Sequence, residues 1–492
     1  MNFEQFKILA KDYNLIPVYE IITADMLTPV LAYLKIRGIS RYNFLLESVE
    51  GTTAGMARYS FIGAEPETIF SNKGDELKII SKNNSAEKKL SIFEYLRNEV
   101  KKYNQPRLDE LPDFDGGIVG FLGYENISLI ERIIKFNKES FDSPDSIFGI
   151  YKTILAFDHY KHQIILISNA DLIENANLET AFNAAKEKIK NLKYYLKKPV
   201  VFKSDFVLAN GLPQSFNEKE FFEQVEKSKN NIIEGDIFQI VLSKKFSADY
   251  KGDMFNVYRA LRIINPSPYM YYLEFGDDMK IAGTSPEDLL KVKNRKAAVL
   301  PIAGTRRRGK NPEEEKQLEE NLLNDPKELA EHTMLLDLGR NDLGRVCKYG
   351  SVKVIEKMKV HKYSHVMHLV SKIEGELAED KDSVDALMAC FPAGTVTGTP
   401  KIRAIQLIND YEKMQRNVYA GSIGYLDFSG NMDMCIAIRT LFSKANRIYW
   451  QSGAGIVADS RPELEAKEIK NKSAVMVNAL KYAEVIDEDT GN

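Results

Sequence analysis

Short β-rich stretches that occur in runs as well as singly, well-capped helical stretches between them, and no repeat of 20 to 50 residues predict an α+β fold with sizeable antiparallel sheets. A strict βαβ alternation would space its strands more evenly. At 492 residues, 44% apolar and 28% charged, the chain can bury one large core or several ordinary ones.

Up to residue 197, β-rich stretches at Tyr42 to Ser48, Ile118 to Gly123 and Gln163 to Ser168 alternate with helical ones, ending in the helical pattern ETAFNAAKEKIKNLKYYLKK. Periodicity is lost over 198–214, which carries Pro199, Gly211 and Pro213. Ser215 and Glu218 then form a capping-box signature ahead of FFEQVEKSKNNII. The expected organisation is a segment 1–197 followed by a segment 215–485. In the second, strands are expected at Ile237 to Leu242, Tyr269 to Phe275, Val352 to Ile355, Tyr425 to Phe428 and Cys435 to Phe442.

The formal charge of −3, with both signs interspersed, gives no reason to expect nucleic acid or an anionic membrane as partner. No apolar run is long enough to span a bilayer, and the N-terminus MNFEQFKILAKDYN lacks a signal-peptide pattern, so a cytoplasmic location is expected. Cys347, Cys390 and Cys435 are far apart and read as small apolar residues in a reducing compartment.

Two helices present paired carboxylates. In NDPKELAEHTMLLDL, Asp325 suits the N-cap and Pro326 the first turn, and Glu328 and Glu331 share a face. In DSRPELEAKEIKNKS, Ser460 and Glu463 suggest a capping box, and Glu465 and Glu468 repeat the three-residue spacing. Facing each other, the helices would offer the oxygen-only donors that Mg²⁺ prefers. Either pair alone also reads as an ordinary helix start, where glutamates complement the dipole.

Gly453, Ala454 and Gly455 follow a strand and precede a capped helix. A dinucleotide fingerprint is excluded, because the cap lies later and no further strand follows. What remains is an ordinary tight turn, or a turn whose amides receive a carboxylate. Arg439 interrupts the apolar strand CIAIRTLF and needs a carboxylate from protein or ligand. His361, His365 and His368 resemble a zinc triad in spacing, but the segment alternates as a strand that would turn His368 away from the other two. His368 alone stays open as an acid, a base, an electrophile or a hydrogen-bonded core residue.

PIAGTRRRG (301–309), DPKELAEHTMLLDLGRNDLGRV (325–346), HVMHLVSKIEGEL (365–377), FPAGTVTGTPKIRAIQLI (391–408) and QSGAGIVADSRPELEAKEIKNKS (451–473) together resemble the chorismate-utilising enzymes. LLES (45–48) followed by RYSFIG (58–63) is similar to the synthase component of anthranilate synthases. The resemblance implies Mg²⁺ on Glu331 and Glu468, with Glu328 and Glu465 supporting through water. It implies substrate carboxylates at Arg439, Tyr419, Lys472 and the Gly453–Gly455 amides, with Gly304, Thr305 and Thr395 lining the same pocket. Glu287 matches the family's general acid for the C4 hydroxyl, and His368 is implicated in the later elimination.

Two positions select the nucleophile. Gln239 stands where water-using family members look for a Lys base, and a neutral amide cannot take a proton from water. Ala303 stands where aminodeoxychorismate synthases carry a Lys nucleophile, which excludes covalent catalysis there and favours direct attack of ammonia at C2. Lacking a GxCxG glutaminase elbow, the chain is expected to draw ammonia from a separate glutamine amidotransferase subunit. The family binds L-tryptophan as inhibitor between LLES and NPSPYM, matched here by Glu47, Ser48, Pro268, Tyr269 and Met270. Arg307 departs from the family's common Pro in GTRPRG.

The expectation is thus an α+β enzyme of two large antiparallel β-sheets packed as a sandwich and flanked by helices, making anthranilate from chorismate and ammonia. Competing readings are aminodeoxychorismate synthase component I and a catalytically silent tryptophan sensor.

Overall fold

Alternating apolar strands pair here into two antiparallel sheets of 12 strands each, in a computed structural model that describes residues 1–48, 58–81, 84–136, 141–200, 205–212, 216–362 and 366–487. The first sheet runs in the order Leu15–Thr23, Gln163–Asp171, Thr153–Asp158, Tyr59–Ala64, Tyr42–Glu47, Tyr269–Phe275, Met279–Ser285, Thr440–Lys444, Arg447–Ile456, Gln239–Gly252 and Phe206–Leu208, with Gly398–Thr399 also paired to Gln239–Gly252. The second runs Ile302–Arg307, Val366–Glu376, Lys296–Val299, Asp288–Lys293, Met432–Ile436, Ser422–Asp427, Gly117–Leu122, Ser146–Tyr151, Thr68–Lys73, Glu76–Ser81 and Asn84–Lys89, with Lys353–Lys362 paired to Val366–Glu376. Strands from both sequence segments occur in both sheets.

Period-two alternation sets the layers. On the Tyr42–Glu47 strand, Phe44 faces a core shared with Val119, Phe121, Tyr151 and Ile423 of the second sheet. Its neighbour Leu45 faces the opposite way, into a core shared with the Leu178–Lys197, Phe255–Ile264 and Pro462–Val485 helices. The outer face of the second sheet packs on the Ile92–Lys101, Pro326–Gly344, Ser383–Cys390 and Lys401–Tyr411 helices. The sandwich therefore has helices on both outer faces. Inside it, the Phe44 and Tyr151 rings meet edge to face at 4.7 Å. Burying one such ring contributes about 1.5–3 kcal/mol.

Several local expectations change. Cys435 to Phe442 is two strands, Met432–Ile436 and Thr440–Lys444, lying in different sheets. Gly453 to Gly455 form no turn but continue the Arg447–Ile456 strand. The histidine segment is a pair of antiparallel strands in which His361 and His368 stand directly opposite, so they share a face; His365 lies outside the described residues. Pro213 and Ser215 also lie outside them, and Asn217 caps the Glu218–Ile233 helix by accepting from the Glu220 amide. Ser460 does not cap the final helix. Its hydroxyl accepts from the Val457 amide at 3.1 Å, and Arg461 occupies the N-cap without a side-chain bond.

Candidate active site

The chain passes between the sheets twice at neighbouring corners. One corner, Pro286 and Glu287, links Met279–Ser285 to Asp288–Lys293; the other, Ala437 to Arg439, links Met432–Ile436 to Thr440–Lys444. The corners are stitched together. The Ile436 amide donates to the Glu287 carbonyl at 3.0 Å, and the Thr284 amide to the Arg439 carbonyl at 3.1 Å. Arg439 is in no strand and has φ +51°, the left-handed region that few non-glycine residues adopt.

At the first corner, burial pushes the Glu287 carboxyl up to about 7, opposed by the Thr395 hydroxyl beside it and by Lys472. At the second, burial lowers the Arg439 pKa, with Tyr419 and Glu468 opposing. Among the described residues no carboxylate lies within ion-pair distance of this guanidinium; its one protein bond goes to the Lys472 carbonyl at 3.4 Å. A half-buried, unpaired guanidinium calls for an anion from outside the chain.

Tyr419 is buried beside it, its phenol pushed up to about 12 chiefly by burial. The residues that hold Tyr419 escaped the sequence reading. The Arg416 guanidinium, fully buried, pairs with Glu412 at 2.6 Å and lies 5.5 Å from the Tyr419 ring. The Glu125 carboxylate accepts the Arg416 and Asn417 amides at 2.7 and 2.9 Å. The four-residue spacing of Glu412 and Arg416 was the available signal.

Beyond Trp450 the Arg447–Ile456 strand keeps Gln239–Gly252 on one edge, while its pairing to Thr440–Lys444 has ended. Among the described residues no strand pairs with that edge here, so the expected turn is replaced by a strand with one edge free of β pairing. A Cβ on Gly453 would stand 2.6 Å from the Tyr419 hydroxyl, and one on Gly455 2.7 Å from the Gln239 amide nitrogen. Glycine permits both approaches. Ala454, between them, is fully buried. Lys472 donates to the Gly453 carbonyl at 3.1 Å, its helix anchored by the Trp450 indole on Ser473 at 2.8 Å.

The carboxylate helices come close enough for the Glu468 charge to act on Glu331. Asp325 caps Pro326–Gly344 by accepting from the Lys327 and Glu328 amides. Glu331, solvent-accessible yet closely surrounded, has its pKa raised by burial, by Glu328 and by Glu468 of the Pro462–Val485 helix. Glu465 is raised by burial and by Glu468. Glu328 is paired with Arg306 at 2.9 Å and Glu468 with Lys472 at 2.6 Å. Among the described residues no group of three or more His, Cys, Asp or Glu side chains is tight enough to hold a metal ion. The donor chemistry nevertheless fits a hard divalent cation: oxygen-only ligands whose mutual repulsion raises two of them.

Gly304 is the bulged residue of Ile302–Arg307, with φ +65°, and a Cβ there would lie 3.1 Å from the Glu328 carboxylate. Thr305 stands opposite His368, whose Nδ1 is 3.0 Å from both the Thr305 hydroxyl and the Gly304 carbonyl. The carbonyl can only accept, so Nδ1 carries the proton and Nε2 is the acceptor nitrogen of the neutral ring. Burial lowers the His368 pKa, which favours that neutral form. Ala303 is buried beside Gly304. Arg307 pairs with Glu314, while Arg308 reaches Glu315 at 2.7 Å, so ion pairs hold the loop where the family commonly has Pro.

Of the expected effector residues, Glu47 and Met270 come together, while Tyr269 faces the other side of its strand. Glu47 and Met270 are register partners in adjacent strands. The buried Glu47 carboxylate accepts from the Tyr258 hydroxyl and lies 3.0 Å from Arg262. Ser48 and Pro268 are half-buried nearby in sequence, and Tyr269 donates to Asp433 at 2.9 Å.

Paired sheets with these corners, carboxylate helices and a glycine strand define a small-molecule enzyme site for an anionic substrate. The chain belongs to the chorismate binding enzyme family, whose model matches residues 42–478. It is 42% identical to anthranilate synthase component 1 of Acetivibrio thermocellus, over 98% of each chain, and 44% identical to that of Synechocystis, over 98% of this chain and 99% of the relative. The crystal structure of anthranilate synthase component I from Streptococcus pneumoniae superposes with a TM-score of 0.74 at 37% identity, covering 93% of this chain and 99% of that one. The menaquinone-specific isochorismate synthase of Escherichia coli shares the fold, at 19% identity and a TM-score of 0.69. Among the described residues no helix is long and apolar enough to cross a membrane.

Proposed function

We propose that the chain is the synthase component of an anthranilate synthase, a Mg²⁺-dependent carbon–oxygen lyase that converts chorismate and ammonia to anthranilate and pyruvate. The observation that carries this reading is the pair of corners: a carboxyl with a pKa near 7 beside a guanidinium without a carboxylate partner. Chorismate is a dianion whose C4 hydroxyl leaves poorly. Arg439, Tyr419, Lys472 and the Gly453–Gly455 edge would receive carboxylate, and Glu287, steadied by Thr395, would protonate the departing oxygen.

Glu331 and Glu468, supported by Glu328 and Glu465, would hold Mg²⁺, which when bound supplies positive charge to the substrate's ring carboxylate and the conjugated system. His368, neutral with Nε2 as acceptor, suits the proton removal of the later elimination. The amide of Gln239 and the methyl of Ala303 offer no amine for activating water or for covalent attack. Ammonia attack at C2 is therefore favoured over aminodeoxychorismate chemistry.

Ammonia would come from a glutamine amidotransferase subunit, anthranilate synthase component II, in a heterotetramer in the cytoplasm. L-Tryptophan would inhibit by feedback through Glu47, Ser48, Pro268, Tyr269 and Met270. The test is turnover of the purified chain with chorismate, Mg²⁺ and ammonium, followed by anthranilate fluorescence and pyruvate. Accumulation of 4-amino-4-deoxychorismate, or turnover without Mg²⁺, would overturn the reading; tryptophan binding without turnover would mark a sensor.

A further inference from the structure

The Glu287 carboxyl has a second neighbour on its inner side. A cavity of about 60 Å³ is lined by Glu287, Asp288, Thr395 and Asp342, with Leu338 and Cys390 among its apolar walls. That volume exceeds the roughly 10–15 Å³ needed for one water, and polar walls are what retain water. Among the described residues Asp288 Oδ2 is buried with no hydrogen-bond partner, and Thr395 Oγ1 has only the Glu287 carboxyl beside it. Such atoms are costly unless a partner reaches them. On the far side, Asp342 is paired with Lys401 at 2.9 Å. Asp342 and Leu338 also line a surface cleft of about 650 Å³, to which Lys401 belongs. Lys401, Asp342, Asp288 and Glu287 thus line two spaces that share a wall, the surface cleft and the cavity at the acid.

We propose that Asp288 is a positioning residue for the Glu287 acid, and that the cavity behind them is the route by which Glu287 regains its proton from solvent between turnovers. The inference rests on the reading of Glu287 as the acid for the C4 hydroxyl. As the C4–O bond breaks, its electron pair goes to oxygen, which takes the Glu287 proton and leaves as water. The Glu287 carboxylate then accepts a proton from a cavity water, which is replenished by the Asp288 carboxyl. Asp288 is reloaded through water from the Asp342 and Lys401 side. The proton taken up is balanced by one released from the ammonia nitrogen as it becomes an amine, so nothing is oxidised or reduced.

The surroundings keep Asp288 loaded. Burial holds its carboxyl well above the usual range, reinforced by Asp433 on the adjacent strand and by Glu287, and opposed by Lys291. Across the cavity Asp342 is also raised by burial, with Lys401 and Arg345 opposing. Burial likewise raises the Cys390 thiol, which keeps it neutral. Asp433 is held by Lys291 at 2.6 Å and by the Tyr269 hydroxyl at 2.9 Å, so the raised Asp288 is the one placed to exchange its proton with the cavity.

Asn matches a protonated Asp in shape but cannot pass on a proton. With the full chain, Mg²⁺, chorismate and ammonium, Asp288→Asn is expected to lower kcat by about tenfold or more, part of the 10²–10⁴ that a positioned proton donor contributes. KM for chorismate should hold, the solvent deuterium isotope effect should rise, and small weak acids such as imidazolium should restore rate. Asp342→Asn, at the outer end of the route, should show the same signature more weakly, and it carries the test if Asp288→Asn does not fold. Wild-type kcat and isotope effect in both variants, with Glu287→Gln inactive, would overturn the relay alone. Full activity in Glu287→Gln would instead overturn the acid assignment beneath it.

Discussion

Glu287 and Arg439 stand on two adjacent corners among those at which the chain crosses between the sheets, and main-chain bonds from Ile436 and Thr284 tie those corners together. The proposed acid and anion receptor are therefore fixed by the topology itself. Side chains placed on a rigid frame lose little entropy when a substrate docks. Because Arg439 has no carboxylate partner among the described residues, replacing it should cost binding and not folding. Arg439→Met is expected to raise KM for chorismate about 10–100-fold, the range of a lost charge-assisted hydrogen bond. Its melting temperature should equal or exceed that of the wild type; a large fall would show that the guanidinium serves the fold.

Glu287 makes a prediction in pH. Its pKa of about 7 is raised above the ordinary carboxylate value, so the protonated form that can act as an acid is present below about 7 and lost above it. With rates referred to free NH₃ concentration, kcat/KM for chorismate should fall with unit slope above that pH. Glu287→Gln should abolish the limb and lower kcat by about 10²–10⁴. A rate that stays level up to pH 9 would remove Glu287 as the acid.

The facing carboxylates predict a stability effect of opposite sign to the activity effect. Burial and the Glu328 and Glu468 charges already raise Glu331 in the metal-free protein, so Glu331→Gln relieves repulsion. Its melting temperature without Mg²⁺ should be unchanged or higher, while Mg²⁺-dependent activity is mostly lost. The same loss is expected for Glu468→Gln. Near-normal turnover in both variants would remove the metal assignment, and calorimetric titration with Mg²⁺ checks it directly.

Much of this arrangement was legible in the sequence. The spacing of Glu328 with Glu331 and of Glu465 with Glu468 fixed shared helix faces, because helical period depends only on local geometry. Strand order was not legible. Nothing local tells that CIAIRTLF breaks at Arg439 and changes sheets, since the apolar pattern continues through the corner. Nor could alternation show that His361 and His368 sit in paired strands, where directly opposed residues share a face that a single strand would reverse. Gly453 and Gly455 looked like a turn for a similar reason: glycine marks close approach as readily as a bend, and here it admits Tyr419 and Gln239.

The effector residues call for a milder substitution than charge reversal. Glu47 is buried against Arg262, so Glu47→Lys would place two cations together in the core and threaten folding. Glu47→Gln keeps the shape and removes only the charge that an amino group would meet. The tryptophan concentration for half-inhibition should rise at least about tenfold, the size of one lost charged contact. An unaltered inhibition curve would place the effector elsewhere.

Two alanine substitutions separate packing from chemistry on the glycine strand. In Gly453→Ala the new methyl meets the Tyr419 hydroxyl at 2.6 Å and the Leu242 carbonyl at 3.0 Å, both held by their surroundings. Such overpacking costs about 1–3 kcal/mol. The melting temperature should fall, and KM for chorismate should rise as Tyr419 is displaced. In Gly455→Ala the methyl meets only the end of the Gln239 side chain, at 2.7 Å for Nε2 and 3.8 Å for Cδ, and an amide can swing aside at little cost to stability. Stability should then hold while Gln239 is redirected, so any loss appears in turnover with ammonia. Equal destabilisation by both substitutions would mean that the Gln239 amide is as firmly fixed as the Tyr419 ring, and that its part in the site is packing.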